Sequence, residues 1–319
     1  MSPVIKIALI QFQPKALSPE ENFQYASAEI RNAASQGAHI AVLPEYHLTG
    51  WFPAEPGFIA SCTESAAAGY LEKYQDLARD LNIHIVPGTI ITPVPISGSS
   101  SPVTELHNIA HFIDASTGQI IHSYQKRNLW HPERGILTAA TGPSPHTAFD
   151  VSVRISSSDG AGPEMIKIRI GMLICWDLAF PLATRSLVSQ GAILVIIPSY
   201  WHISQAYADL EHPAVQNINP LSEATFLNSV IVARAFENTA AMVLVNAMGE
   251  SQVALPLLGQ LPGSKLGIDE VGTRIVDVDL GVLHVAEECY KLRLDMRNDA
   301  GGVEEGQGEG ERYGTGFAE

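Results

Sequence analysis

Positive charge is scarce in this chain: 19 lysines and arginines stand against 34 aspartates and glutamates, a formal net charge of −15. So acidic a surface repels phosphates, which excludes nucleic acid as the expected partner, and it is equally unsuited to an anionic membrane face. Cysteine is scarce too. The three present, Cys62, Cys175 and Cys289, form no CxxC pair, and an odd, low count reads as reduced thiols rather than a disulfide framework. Long apolar runs are missing: the longest, Ala192 to Pro198, is far too short to cross a bilayer. Met1-Ser2-Pro3-Val4-Ile5-Lys6 has no basic region followed by a long apolar stretch, so it does not read as a signal peptide. The expectation from these absences is a cytoplasmic protein whose partners are small molecules or further copies of itself.

What is present in quantity is apolar sequence. Apolar residues make up 46% of the 319 and charged ones only 17%, which points to a sizeable buried core rather than disorder. Val4–Phe12 reads as a buried strand. Ser18-Pro19-Glu20-Glu21 then has the form of a helix start, with Ser18 capping, Pro19 at the first helical position and Glu21 closing a capping box. Phe23, Ala26, Ile30 and Ala33 follow at helical spacing, and Gly37 is the expected stop. Ile40–Leu43 is the next strand, followed by a helix around Tyr70–Leu81 and one strand over Ile83–Ile91. In the middle of the chain, His107–Ile113 and Gln119–Gln125 flank Asp114-Ala115-Ser116-Thr117-Gly118 as a hairpin. Val151–Ile155 and Ile166–Ile174 flank a Ser/Gly-rich loop in the same way. Alternation then resumes with a helix at Leu182–Gln190, a strand at Ile193–Ile197, a long helix about Ser222–Asn238 and a strand at Ala241–Asn246. Helix–strand alternation with interposed hairpins predicts an α/β sandwich of mixed sheets. No composition break interrupts residues 1–298, which read as one domain. From Asp299 to Glu319 the chain is Gly- and Glu-rich and reads as a mobile tail, the alternative being an arm that packs on a neighbouring subunit through Tyr313 and Phe317.

Three segments carry chemistry. In Leu43-Pro44-Glu45-Tyr46-His47-Leu48-Thr49-Gly50-Trp51 an acid sits just past a buried strand, at the carboxyl edge where open α/β sheets place their sites. In Tyr124-Gln125-Lys126-Arg127-Asn128-Leu129-Trp130-His131-Pro132-Glu133 a lysine ends a strand among bulky neighbours, placed to hold negative charge developing on a substrate. In Gly171-Met172-Leu173-Ile174-Cys175-Trp176-Asp177-Leu178-Ala179-Phe180-Pro181 an apolar strand runs into a cysteine followed by a turn and a helix start. That layout resembles a nucleophile elbow, in which backbone N–H groups stabilise a thiolate and an oxyanion. A histidine base for Cys175 cannot be assigned from sequence. His107 and His111 have i,i+4 spacing, but they lie in a strand and lack an HExxH acid, so zinc catalysis is not expected.

Together the three segments resemble the nitrilase superfamily, the carbon–nitrogen hydrolases, from about Lys6 to about Met296. The family's order of Glu, Lys and Cys is reproduced as Glu45, Lys126 and Cys175. Asn108-Ile109-Ala110, Arg234-Ala235-Phe236-Glu237-Asn238, Val278-Asp279-Leu280 and Tyr290-Lys291-Leu292-Arg293-Leu294-Asp295 match further. Many members carry a second glutamate seven residues after the lysine, which falls here on Glu133. The resemblance implies a four-layer αββα sandwich that forms a homodimer or higher homo-oligomer, with no cofactor or metal. It implies Glu45 as general base, Lys126 stabilising the tetrahedral intermediate, Cys175 as nucleophile, and Glu133 positioning substrate or a neighbour. Asn128 stands where the family often has His. Cys175-Trp176-Asp177 with Phe180-Pro181 looks like the amidase branches, so the expected substrate is a small amide or N-carbamoyl compound, cleaved through a thioester. A true nitrilase and an inactive member acting as a binding module are the alternatives. Tyr46, Trp51, Asn128, Trp176, Tyr200, Trp201 and His202 are the candidates for lining the pocket.

Overall fold

The computed structural model describes residues 2–96, 104–142, 146–156, 162–203 and 217–300. Two sheets face each other, and the side chains of the first strand show how. Along β1 (Val4–Gln11), Ile5, Ile7 and Leu9 join the core that reaches the opposite sheet, while Ala8 and Ile10 face a separate helix-lined core. A period-2 strand with both faces apolar belongs between two layers. On its helical side lie α1 (Pro19–Ser35) and α3 (Glu64–Leu81), which contribute Phe23, Ala26, Ile30, Tyr74, Leu77 and Ala78.

The first sheet runs β13 (Gly272–Asp279), β1, β2 (Ile40–Val42), β3 (His84–Val86), β5 (Thr104–Ile113), β4 (Thr89–Pro95), with β6 (Ile120–Gln125) also paired to β5. Parallel pairing of β1, β2 and β3 needs helical crossovers, and α1 and α3 supply them; β13 returns antiparallel to β1. The second sheet runs β12 (Gly259–Gln260), β11 (Gln252–Leu255), β10 (Ala241–Asn246), β9 (Leu194–Ser199), β8 (Pro163–Met172), β7 (Phe149–Ser156). Its outer face is covered by α4 (Pro181–Ser189) and α5 (Ser222–Asn238), which completes an α/β/β/α order of layers. A single turn, α2 (Phe58–Ser61), precedes α3, and α6 (Leu280–Tyr290) and α7 (Leu292–Ala300) follow β13. Among the described residues no helix is long and apolar enough to cross a membrane.

Both expected hairpins form, β5 with β6 and β7 with β8. Three local expectations are corrected. Ser18 precedes the helix but its hydroxyl donates to the Ala16 carbonyl rather than capping. Buried Asn22 anchors that entry instead, accepting from the Lys15 N–H at 2.8 Å and donating to the Lys15 and Leu48 carbonyls, while Glu21 pairs with Lys15. The helix expected at Tyr70 begins six residues earlier, where Thr63 accepts from the Ala66 N–H. The strand expected over Ile83–Ile91 is two strands, β3 and β4, because Pro87 and Gly88 turn the chain, with Gly88 at φ +57°. At the far end α7 continues to Ala300, past the start of the expected tail; Tyr313 and Phe317 lie outside the described residues.

Candidate active site

Glu45 follows β2 and Lys126 follows β6, both in the first sheet, whereas Cys175 follows β8 in the second. The site therefore forms where the two sheets meet. Cys175 has φ +46°, directly after extended Ile174, and opens a 3₁₀ turn, Cys175–Ala179, that leads into α4. A left-handed backbone is uncommon for a residue with a β-carbon and costs of order 1–3 kcal/mol, so such strain persists only where surrounding contacts hold it. This is the strand–turn–helix elbow anticipated from the sequence.

Lys126 lies between two carboxylates. Its Nζ donates to Glu45 Oε1 at 2.8 Å and to Glu133 Oε1 at 2.6 Å. Glu45 Oε1 also accepts from Asn108 Nδ2 at 2.8 Å, and Glu45 Oε2 accepts from the Tyr200 backbone N–H at 3.0 Å. Glu133 sits in a 3₁₀ turn, His131–Glu133, where its Oε2 accepts from the Trp130 N–H at 2.7 Å and its Oε1 from the Tyr46 hydroxyl at 2.5 Å. Cys175 and Glu45 act on each other electrostatically: the thiol helps draw the carboxyl down, and the Glu45 charge helps push the thiol up. Glu45, Lys126 and Glu133 are each at most 2% exposed, so these charges depend on one another and not on water.

That burial sets the protonation states. Desolvation pushes Glu45 up from the ordinary carboxylate range, opposed by the Lys126 ammonium. It would push Lys126 down, but Glu133 and Glu45 overcome it and hold the ammonium above its usual range. Cys175 is pushed well up, by burial first and by the Glu45 charge second. Cys175 thus rests as a neutral thiol, and the Lys126 ammonium is fixed between Glu45 and Glu133.

A family model described as Carbon-nitrogen hydrolase matches residues 6–285. The chain belongs to that family. It is 24% identical over 278 residues to a nitrilase from Pyrococcus abyssi, spanning 87% of this chain and 91% of that one. It is also 24% identical over 303 residues to human omega-amidase, spanning 94% and 97%. Among solved structures it superposes on the amidase from Nesterenkonia sp. AN1 with a TM-score of 0.62 at 22% identity, covering 94% of this chain and 99% of that one. In that structure, of a mutant, the acetamide moiety of fluoroacetamide is covalently added at the active-site cysteine.

In this carbon–nitrogen hydrolase the remaining candidates divide into two groups. Tyr46, at φ +52°, has its hydroxyl on Glu133 and its ring stacked on Trp51 at 5.0 Å, with Tyr200 edge-on at 5.9 Å. His202 packs edge-on to Tyr200 at 5.1 Å; burial lowers it to about 4, so the ring is neutral. Tyr46 and Tyr200 reach the carboxylates, and Trp51 and His202 pack on those two rings. Trp176 and Trp201 instead pack on each other at 5.3 Å and on Phe226 of α5, with Trp201 Nε1 donating to Glu223. Asn128 gives both its backbone and side-chain N–H groups to Asp177. His107 and His111 take separate partners, Glu105 and Ser123. Among the described residues no three His, Cys, Asp or Glu side chains are grouped to hold a metal ion.

Sequence reasoning did not assign three of the groups gathered here: the Asn108 side chain, the Tyr200 backbone N–H and the Asp177 carboxylate. Asn108 had a signal in the Asn108-Ile109-Ala110 match, and Asp177 in its place two residues after the cysteine. The Tyr200 contact uses a main-chain atom and had none.

Proposed function

We propose that this protein hydrolyses a small amide or N-carbamoyl compound, with Cys175 as nucleophile, Glu45 as general acid–base and Lys126 as the fixed cation. The observation that carries the reading is the buried bonded line Glu45–Lys126–Glu133 with the Cys175 elbow electrostatically coupled to Glu45. A neutral thiol needs its proton removed as it attacks, and Glu45 is the carboxyl whose charge acts most strongly on it. Cys175 sulfur bonds to the carbonyl carbon and its proton passes to Glu45. Lys126, with the N–H groups of the turn that Cys175 opens, stabilises the oxyanion. As the C–N bond breaks, Glu45 returns the proton to the leaving nitrogen, and ammonia or an amine departs. Glu45 then takes a proton from water attacking the thioester, and the acid is released as the thiol re-forms. Glu133 and Tyr46 hold the ammonium in line without entering these transfers.

The covalent acetamide adduct in the Nesterenkonia amidase and the name of human omega-amidase support an amide substrate. The Pyrococcus abyssi relative, named a nitrilase, supports a second reading, because attack on a nitrile uses the same thiol, carboxylate and cation and gives a thioimidate. Comparing kcat/KM for one acyl skeleton as nitrile, primary amide and N-carbamoyl derivative separates the two. The amidase reading expects ammonia from the latter two, and a consistent preference for the nitrile overturns it. Intact mass of Glu45→Gln after incubation with an amide library would retain the acyl group on Cys175.

A further inference from the structure

The nucleophile and the cation reach the site from different sheets, so some group must fix one relative to the other. Apolar contacts between sheets are non-directional and leave freedom to slide, whereas hydrogen bonds set both distance and angle. Asp177 is fully buried, two residues after Cys175. Its Oδ1 accepts from the Asn128 backbone N–H at 2.8 Å and from Asn128 Nδ2 at 2.9 Å. Its Oδ2 accepts from the Tyr124 hydroxyl at 2.8 Å and from the Ile174 N–H at 3.1 Å. Tyr124 and Asn128 stand two residues before and two after Lys126, and Ile174 directly precedes Cys175. One carboxylate thus binds both flanks of the lysine and the residue that enters the elbow.

We propose that Asp177 is a positioning residue for the reaction, setting the Cys175-to-Lys126 geometry across the two sheets and holding the strained elbow in its reactive form. The Asp177 N–H closes the same turn on the Ile174 carbonyl at 3.0 Å, so the side chain and backbone of one residue define the elbow. Four donors converge on two oxygens, and only an ionised carboxylate accepts all of them. An amide of the same shape would turn an N–H₂ toward two of those donors. This role rests on the assignment of Cys175 as nucleophile. It predicts a loss in the chemical step, because a displacement of about 1 Å at a reacting group costs up to about 10²-fold in rate.

The test compares Asp177→Asn, Asn128→Ala, Tyr124→Phe and the Asp177→Asn/Asn128→Ala double variant by two readouts. One is kcat and KM on the preferred amide. The other is the rate of Cys175 alkylation by iodoacetamide against pH, followed by peptide mass so that Cys62 and Cys289 are counted apart. Expected for Asp177→Asn is a ten- to hundredfold fall in kcat with KM within about threefold, and a displaced pH profile of alkylation. Asn128→Ala should move both readouts in the same sense by less, and add little on top of Asp177→Asn. A lowered melting temperature with kcat and the alkylation profile unchanged would make Asp177 merely structural and overturn the proposal, as would full additivity in the double variant. Should Asp177→Asn not fold, Asn128→Ala and Tyr124→Phe decide by the same readouts. Alkylation needs no amide, so a wrong substrate class leaves this test standing; wild-type Cys175 that resists alkylation at every pH would instead remove the nucleophile assignment beneath it.

Discussion

A cysteine pushed well above its ordinary pKa is a poor nucleophile until a neighbour takes its proton, the part proposed above for Glu45. Replacing Cys175 by Ala should therefore lower turnover by more than about 10³-fold while circular dichroism stays that of the parent. Cys62, whose thiol bonds the Phe58 carbonyl, and exposed Cys289 should each accept Ala with kcat unchanged. Substantial activity in Cys175→Ala would end the nucleophile assignment. Lys126→Arg keeps the charge, but a planar guanidinium does not fit where a compact ammonium reaches Glu45 and Glu133 at 2.8 and 2.6 Å. Its kcat should fall by about 10² or more with a smaller change in KM, and an effect confined to KM would show that Lys126 only binds substrate. Glu45, Lys126, Glu133 and Cys175 were legible because three follow strand ends in the order the carbon–nitrogen hydrolases share and Glu133 stands at that family's distance after the lysine. The Asn108 side chain and the Tyr200 main-chain N–H were not assigned as Glu45 partners, although Asn108-Ile109-Ala110 matched and Tyr200 was named for lining the pocket. They reach Glu45 across 63 and 155 residues of sequence, and the second does so with an N–H that every residue type but proline carries.

Among the elements, the turn between β3 and β4 bears most directly on the site. Gly88 at φ +57° lies against the loop that carries Glu45, and a β-carbon there would stand 1.8 Å from the Pro44 carbonyl oxygen. The next residue, Thr89, accepts the Tyr46 N–H at 3.0 Å, so this turn fixes the backbone on both sides of Glu45. Gly88→Ala should cost more than about 2 kcal/mol, since backbone rather than a side chain must move, and it should lower kcat along with the melting temperature. A variant with parental stability and kcat would mean that the Glu45 loop tolerates the shift. Gly171→Ala in β8 is the milder comparison, because there the added carbon meets Leu187 Cδ1 at 2.6 Å, which a rotamer change can move, and Leu187 Cβ at 3.0 Å, which need give only a few tenths of an ångström. The same turn shows where sequence reading stops. Hydrophobic patterning located β1, β2, β9, β10 and α5 because each is a single uninterrupted apolar or helical period. Pro87-Gly88 sits inside an equally apolar run, and whether such a pair ends one strand or bends it depends on β5, which pairs with both β3 and β4. Ser18 failed as a cap because its hydroxyl bonds the Ala16 carbonyl, while the entry is anchored by Asn22, whose partner Leu48 lies 26 residues on.

Across the whole molecule, burial has been extended to histidines as well as to the apolar core. His39, His47, His84, His111, His122, His146 and His202 are all held below the ordinary imidazole range, in every case chiefly by desolvation. In the unfolded chain these rings gain a proton near pH 6.5, whereas in the folded protein His111 and His202 gain one only near pH 4. Between those values the unfolded state binds more protons, so folding stability is fully present above about pH 6.5 and is lost as the pH falls toward 4. Glu45 and Asp177, raised by burial, act in the opposite direction, but two carboxyls face seven imidazoles. His111 alone, 7% exposed with its Nδ1 on Ser123, accounts for a loss on the order of 3 kcal/mol over that window. Denaturant midpoints at pH 7.5, 6 and 5 should fall in that order, and His111→Gln, which has no proton to gain, should flatten the decline while starting from a lower midpoint. Equal midpoints at pH 7.5 and 5 would show that the histidines open to water before the protein unfolds. An undiminished slope in His111→Gln would assign the acid sensitivity to the other six rings.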